Sequence, residues 1–178
     1  MSQLMHLRST IRIADSVFYS ESFDKGRGDW SIDPNAYKNV ISWEYGCKDS
    51  TRWPGDSSFY TKIAKAAEEY SYVNGPCFDF RGLERPMIKM DIMRSFERNR
   101  NGAVLQYSTD NGLSWKTIGA NISDGINWYN SFNIMQGNGP GNQGLGWTNP
   151  EGLYDPDEDW VEARQLLDEL KDSAGVRF

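Results

Sequence analysis

Short stretches in which apolar and polar residues alternate, each closed by Gly, Pro, Asn or Asp, recur along the whole chain. A period of two between turn-forming residues is the signature of strands, and it predicts strands at 11–13, 17–23, 40–45, 86–93, 103–108 and 115–119. In 86–93, Met87, Lys89 and Asp91 alternate with Ile88, Met90 and Ile92, so one face is expected to be buried and the other only partly so. Helical spacing is confined to two places. The first is 58–70, where Ala64, Ala66 and Ala67 sit among Lys and Glu in an ambiguous pattern. The second is 160–170, where Trp160, Ala163, Leu166, Leu167 and Leu170 follow an acidic run suited to a helix N-terminus. Between Gln136 and Pro150 five glycines with few apolar anchors predict a long loop, read either as a binding loop or as a plain connection between sheets.

These elements predict an all-β fold: an antiparallel two-sheet β-sandwich, jelly-roll-like, with one or two short helices. At 178 residues a single domain over 1–178 is expected, with 1–16 as an N-terminal extension or first strand. Aromatics make up 13% of a chain only 38% hydrophobic, so the apolar material is concentrated in large rings, as suits a sandwich with broad polar loops. Nineteen Lys and Arg stand against 25 Asp and Glu, for a net charge of -6, and no short window is dominated by basic residues. Arg94, Arg98 and Arg100 around Phe96 are interrupted by Glu97 and read as a solvated strand end. Nucleic acid and anionic membrane are therefore poor partners. The longest apolar runs fall far short of the roughly 20 residues that span a bilayer, which argues against membrane insertion. The first residues lack the features of a signal peptide, so either the protein is cytosolic or its export signals lie outside this sequence.

The chemistry available narrows further. Cys47 and Cys77 are the only cysteines and His6 the only histidine. A Cys/His zinc site cannot be assembled from that set, and Ser-His-Asp or Cys-His catalysis is disfavoured. The two cysteines are read either as one disulfide closing a long loop or as two buried thiols. Asp155, Asp157, Glu158 and Asp159 supply enough hard oxygen for Ca2+, with Asp155, Asp157 and Asp159 as ligands. An acidic helix start explains the same residues without an ion. Carboxylate pairs for glycoside hydrolysis could be drawn from Glu44, Asp79, Asp91 or Asp110. The tripeptide Arg27-Gly28-Asp29 sits in a Gly-containing turn and carries no weight as an adhesion signal.

One local motif is sharp. Ser108-Thr109-Asp110-Asn111-Gly112-Leu113-Ser114-Trp115 fits the Asp-box pattern S-x-D-x-G-x-x-W at every specified position. Asp110 can accept turn amides, Gly112 can take positive φ, and Trp115 can pack under the reversal, so Ser108, Asp110, Gly112 and Trp115 are assigned structural work. Together with Glu21-Ser22-Phe23 and Trp30, residues 42–46, Gly75-Pro76-Cys77-Phe78-Asp79-Phe80, residues 127–130, Gly146-Trp147 and residues 160–163, this motif resembles the MAM-like or jelly-roll domains of multidomain secreted proteins of Bacteroidetes. The resemblance implies a secreted or cell-surface location, a core strand following Pro76, and a last strand beginning at Val176. The chain stops at Phe178, where that strand would gather partners, which implies an open edge and edge-strand self-association. It also departs from the resembling domains at residues 99–102, where an acidic residue before the glycine is expected, and this removes support for a loop-bound ion there.

Trp53, Trp128, Tyr129, Trp147 and Tyr154 fall beside Asn, Gly and Pro in loop-like contexts. Flat rings there could stack on sugars while Asn127, Asn130, Asn142 and Gln143 bond hydroxyls. The alternative is that these rings plug loops onto the body. Trp30, Trp43, Trp115 and Trp160 read as core. The expectation is a non-catalytic recognition module acting by adhesion or carbohydrate contact, its partner a glycan or surface protein. The alternatives are a jelly-roll glycosidase or a structural spacer.

Overall fold

A computed structural model describes residues 10–12, 18–35, 41–47, 55–61, 70–94, 96, 100–119, 125–132, 134, 144–149 and 160–178. Eleven strands are found among them: β1 (Thr10–Arg12), β2 (Ser31–Ile32), β3 (Trp43–Gly46), β4 (Ser58–Thr61), β5 (Val73–Asn74), β6 (Cys77–Asp79), β7 (Met87–Ile92), β8 (Gln106–Tyr107), β9 (Lys116–Thr117), β10 (Val161–Leu166) and β11 (Val176–Arg177). The described helix is a single 3-10 turn, Asp168–Leu170, so the described residues are strand-rich with almost no helix. The sheets are small. β1, β6 and β11 form one in the order β1-β6-β11, and antiparallel pairs join β10 to β7, β2 to β5, β3 to β4 and β8 to β9. The chain forms two compact units, Met1–Phe78 with Arg177–Phe178, and Asp79–Val176.

The first unit is held by rings. Phe23 packs edge-on to Trp30 and Phe59, Tyr45 packs on Phe59, and Phe78 lies between Tyr19 and Phe178. Edge-to-face contacts of this kind add to the area they bury. The polar tips are satisfied as well. Trp30 Nε1 donates to Tyr19 Oη at 2.9 Å, Trp43 Nε1 to the Ser71 carbonyl at 3.0 Å, and Tyr45 Oη to the Phe23 carbonyl at 2.6 Å. Arg27 lies over the Tyr45 ring, 5.3 Å from its centroid, so the Arg-Gly-Asp tripeptide is partly tied to the body.

In the second unit β7 and β10 make the longest ladder, from Met87 opposite Leu166 to Ile92 opposite Val161. The alternation holds along β7, but both faces are more open than expected: Ile88, Met90 and Ile92 are half-buried where burial was expected, and Met87, Lys89 and Asp91 are exposed. Ala163, Leu167, Leu170 and Val176 are fully buried.

Several expectations are corrected. The helix expected over 160–170 is strand β10 followed by the 3-10 turn. Pairing with β7 consumes the backbone of β10, and a strand then a tight turn bury Ala163, Leu167 and Leu170 as well as a helix face would. The 58–70 segment opens as β4, and 62–69 lie outside the described residues. Residues 18–23 form no strand, and Phe23 sits at φ 65. Residues 144–149 of the glycine-rich stretch are largely buried and paired on both sides, Gly146 with Ser131 and Trp147 with Ala103, not an open loop. Trp115 and Trp160, expected in the core, are 38% and 37% exposed.

Candidate functional site

Two constellations named from sequence fall within described residues: the 108–115 turn and the ring cluster Trp128, Tyr129 and Trp147. Of the remaining candidates, Trp53, Tyr154, Asn142, Gln143, Asp155, Asp157, Glu158, Asp159 and His6 lie outside the described residues.

The turn joins β8 to β9, with Gln106 opposite Thr117 and Tyr107 opposite Lys116. Asn111 at φ 64 and Gly112 at φ 87 carry the left-handed backbone the reversal requires. Ser108, buried, receives the Gly112 N–H at 2.8 Å and donates its hydroxyl to Asp110 Oδ1 at 2.7 Å. Asp110 also accepts the Ser114 N–H at 2.9 Å and the Ser114 hydroxyl at 2.5 Å. These donors, Ser114 first, hold the Asp110 carboxylate down to a pKa of about 2. The Trp115 ring lies over the reversal, 3.7 Å from where a Gly112 Cβ would stand. Both oxygens of Asp110 are thus committed to the turn. Leu113, 88% exposed, crowns it.

The three rings converge: Trp128 and Trp147 centroids are 4.8 Å apart, Tyr129 and Trp147 4.6 Å, and Trp128 and Tyr129 5.3 Å. Trp128 and Trp147 are each only 5% exposed. Of the two readings given to these rings, burial removes the solvent-facing one for Trp128 and Trp147 and matches the one in which they plug loops onto the body. Every polar tip is spent inside the knot. Trp147 Nε1 donates to the Asn127 carbonyl at 3.2 Å, and Trp128 Nε1 to the Ile118 carbonyl at 3.3 Å. Tyr129 Oη receives the Leu105 N–H and donates to the Leu105 carbonyl, both at 3.0 Å. The Asn side chains offered for sugar hydroxyls are likewise engaged. Asn127 Nδ2 donates to the Glu162 carbonyl at 2.9 Å, while Asn130 both donates to the Thr148 carbonyl and accepts the Thr148 N–H at 2.9 Å, closing a two-bond ring like a strand pair.

The geometry around Leu105 has a specific cause. Ile118 N–H donates to the Leu105 carbonyl at 3.1 Å, one step beyond the β8–β9 register. An antiparallel ladder would return a bond from Leu105 N–H to the Ile118 carbonyl. Instead Tyr129 Oη takes that donor and Trp128 Nε1 fills that acceptor, so two side chains replace one ladder bond and splice residues 128–129 into the hairpin. Burial of the hydroxyl pushes the Tyr129 pKa well above the ordinary phenol range. Nothing in the strand pattern pointed to this insertion. The usable signal was chemical, since a buried Trp or Tyr brings a polar tip that must find a partner.

The carboxylates considered for hydrolysis are scattered and occupied differently. Glu44 accepts the Tyr60 hydroxyl at 3.0 Å in the first unit. Asp79, buried, grips Arg81 through both oxygens at 2.9 and 2.6 Å and accepts the Arg81 N–H at 3.1 Å. Asp91 is exposed on β7. Cys47 is half-buried and Cys77 buried, and no disulfide joins them. Among the described residues, no three His, Cys, Asp or Glu side chains are grouped to hold a metal ion. No family model, no curated protein and no solved structure matches this chain.

Proposed function

We propose that the chain is a non-catalytic, jelly-roll-like β-sandwich module that acts by surface contact with another protein, as part of a larger secreted or cell-surface protein. The reading rests on the closed aromatic knot. A sugar platform needs an open ring face flanked by free hydrogen-bonding groups. Trp128 and Tyr129 each meet Trp147 edge to face, and the polar tips meet backbone. The Asp-box turn favours a scaffold in the same way. A general acid must hold its proton near neutral pH, whereas the hydrogen bonds around Asp110 keep it ionised down to about pH 2.

The experiment is a glycan array with soluble-polysaccharide titrations and a panel of chromogenic glycosides, all on the intact chain. No glycan retention and no hydrolysis are expected. Retention abolished by Trp115→Ala or Trp160→Ala, the described tryptophans with exposed rings, would replace this reading with a carbohydrate-binding one. Hydrolysis abolished by substituting Glu44, Asp91 or Asp110 would replace it with an enzymatic one.

A further inference from the structure

Among the described residues strand β7 has one unpaired edge: it pairs with β10 on one side and with nothing on the other. Which peptide groups face that edge follows from the ladder. Leu167 N–H donates to the Pro86 carbonyl at 2.8 Å, and these residues stand opposite one another, one step beyond Leu166 and Met87. Hydrogen-bonded pairs alternate in an antiparallel ladder. Ile88, Met90 and Ile92 therefore turn their peptide groups towards β10, and Met87, Lys89 and Asp91 turn theirs outward. The far side of β10 agrees, because Arg164, opposite Lys89, exchanges both its backbone bonds with Ile126, at 2.9 and 3.0 Å.

The residues along this edge read Met87-Ile88-Lys89-Met90-Asp91-Ile92-Met93. Reversed about Met90 the run keeps its chemistry: Met answers Met, Ile answers Ile, and Lys answers Asp. We propose that β7 is a self-association edge, pairing antiparallel with β7 of a second copy of this chain about a two-fold axis at Met90. The outward peptide groups of Lys89 in one copy then bond those of Asp91 in the other, twice over. On one face each Lys89 lies beside the other copy's Asp91. On the opposite face each Ile88 lies beside the other copy's Ile92, with the two Met90 side chains at the centre.

Charge fixes the register. The outward-facing residues are the odd-numbered ones, so the neighbouring registers differ by two. One sets Lys89 against Lys89, and the other sets Asp91 against Asp91. Charges on an edge strand ordinarily block pairing, and here they do so on either side of the one register they favour. Asp91 is exposed, stands opposite Glu162 within its own sheet, and makes no ion pair among the described residues. Lys89, which pairs with Glu162, is 55% exposed at its side chain and has further donors to offer. The proposal concerns a different edge from the C-terminal one expected from sequence, and it does not depend on the role proposed above.

A single strand junction lies at or below the low end of stable interfaces, about 1,200 Å², so the dimer should depend on concentration. Sedimentation velocity and light scattering of the full chain are expected to show monomer passing to dimer as concentration rises. Lys89→Asp and Asp91→Lys each set like charges face to face at both symmetry-related pairs, and each should weaken dimerisation about tenfold or more. Lys89→Asp also removes the Glu162 partner, so its thermal unfolding is checked in parallel. Asp91→Lys sets a lysine opposite Glu162 and should leave the fold intact. The combined Lys89→Asp/Asp91→Lys chain restores opposite charges and should regain the dimer. An equimolar mixture of the two single variants should form a heterodimer. The proposal is overturned by a wild-type chain that stays monomeric at about 1 mM, where any submillimolar association would register. It is equally overturned by a dimer that survives Asp91→Lys unchanged, or by folded single variants that do not pair when mixed.

Discussion

Replacing Tyr129 by Phe removes one oxygen and nothing else, and the knot makes its consequence calculable. The ring stays wedged against Trp147, 4.6 Å between centroids, so little packing is lost. The Leu105 carbonyl keeps the Ile118 N–H at 3.1 Å. The Leu105 N–H, however, loses its acceptor, because the Ile118 carbonyl it would otherwise meet is taken by Trp128 Nε1 at 3.3 Å. Leaving this part-buried donor unmet costs about 1 kcal/mol, the low end for an unmet group, and for a chain of this size that lowers the melting temperature by roughly 2–4 °C. Differential scanning calorimetry of Tyr129→Phe measures the shift. Adding Trp128→Phe frees the Ile118 carbonyl to accept Leu105 N–H, so the double variant should lose less stability than the sum of the two singles, a coupling that a double-mutant cycle isolates. The phenol supplies a further signature. Its folded pKa is raised above the unfolded value of about 10, so its contribution is complete below that pH and is lost as pH climbs through the folded value. Wild type should therefore destabilise more steeply than Tyr129→Phe above pH 10. A Tyr129→Phe protein that melts within a degree of wild type, or singles that simply add, would refute the splice.

Asp110→Asn should flatten the acid limb of stability. The folded carboxylate is depressed to about 2, so its contribution is present above the unfolded value near 4 and disappears as pH falls towards 2; urea titrations at stepped pH read the slope. Gly146→Ala drives a methyl to 2.5 Å from the Ala103 carbonyl and 2.9 Å from Ile134 Cδ1, in a segment bonded on both sides, and should cost about 1–3 kcal/mol by chemical denaturation. Both cysteines should titrate with a thiol reagent in denaturant without reductant. In the native protein half-buried Cys47 should react before buried Cys77, and failure to find two thiols would restore the disulfide reading.

What could be read from residues alone was the local chemistry of pairing. The 108–115 turn was legible because its Ser, Asp, Gly and Trp each have one job that local geometry dictates, and the hydrogen bonds of Ser108 and Asp110 are those jobs. β7 was legible because alternation of Ile and Met with Lys and Asp has no helical counterpart, and the observed strand, Met87–Ile92, lies inside the predicted 86–93. β10 was not. Leucines at 166, 167 and 170 satisfy a helix period equally well, and only pairing with a strand about seventy residues earlier decides between the two. The rings failed for the same reason. Context in sequence placed Trp128 and Trp147 in loops and Trp115 in the core, yet exposure depends on what returns to cover a ring. Residues 144–149 return over Trp128, while nothing in its own hairpin encloses Trp115. Long-range partners convert loop aromatics into core, and the same missing information makes the unpaired edge of β7 visible only once its neighbour β10 is known. The edge is where the two levels meet: the residues 87–93 carry a two-fold pattern that any reader of the sequence could see, and it acquires meaning only when the ladder turns Lys89 and Asp91 outward together.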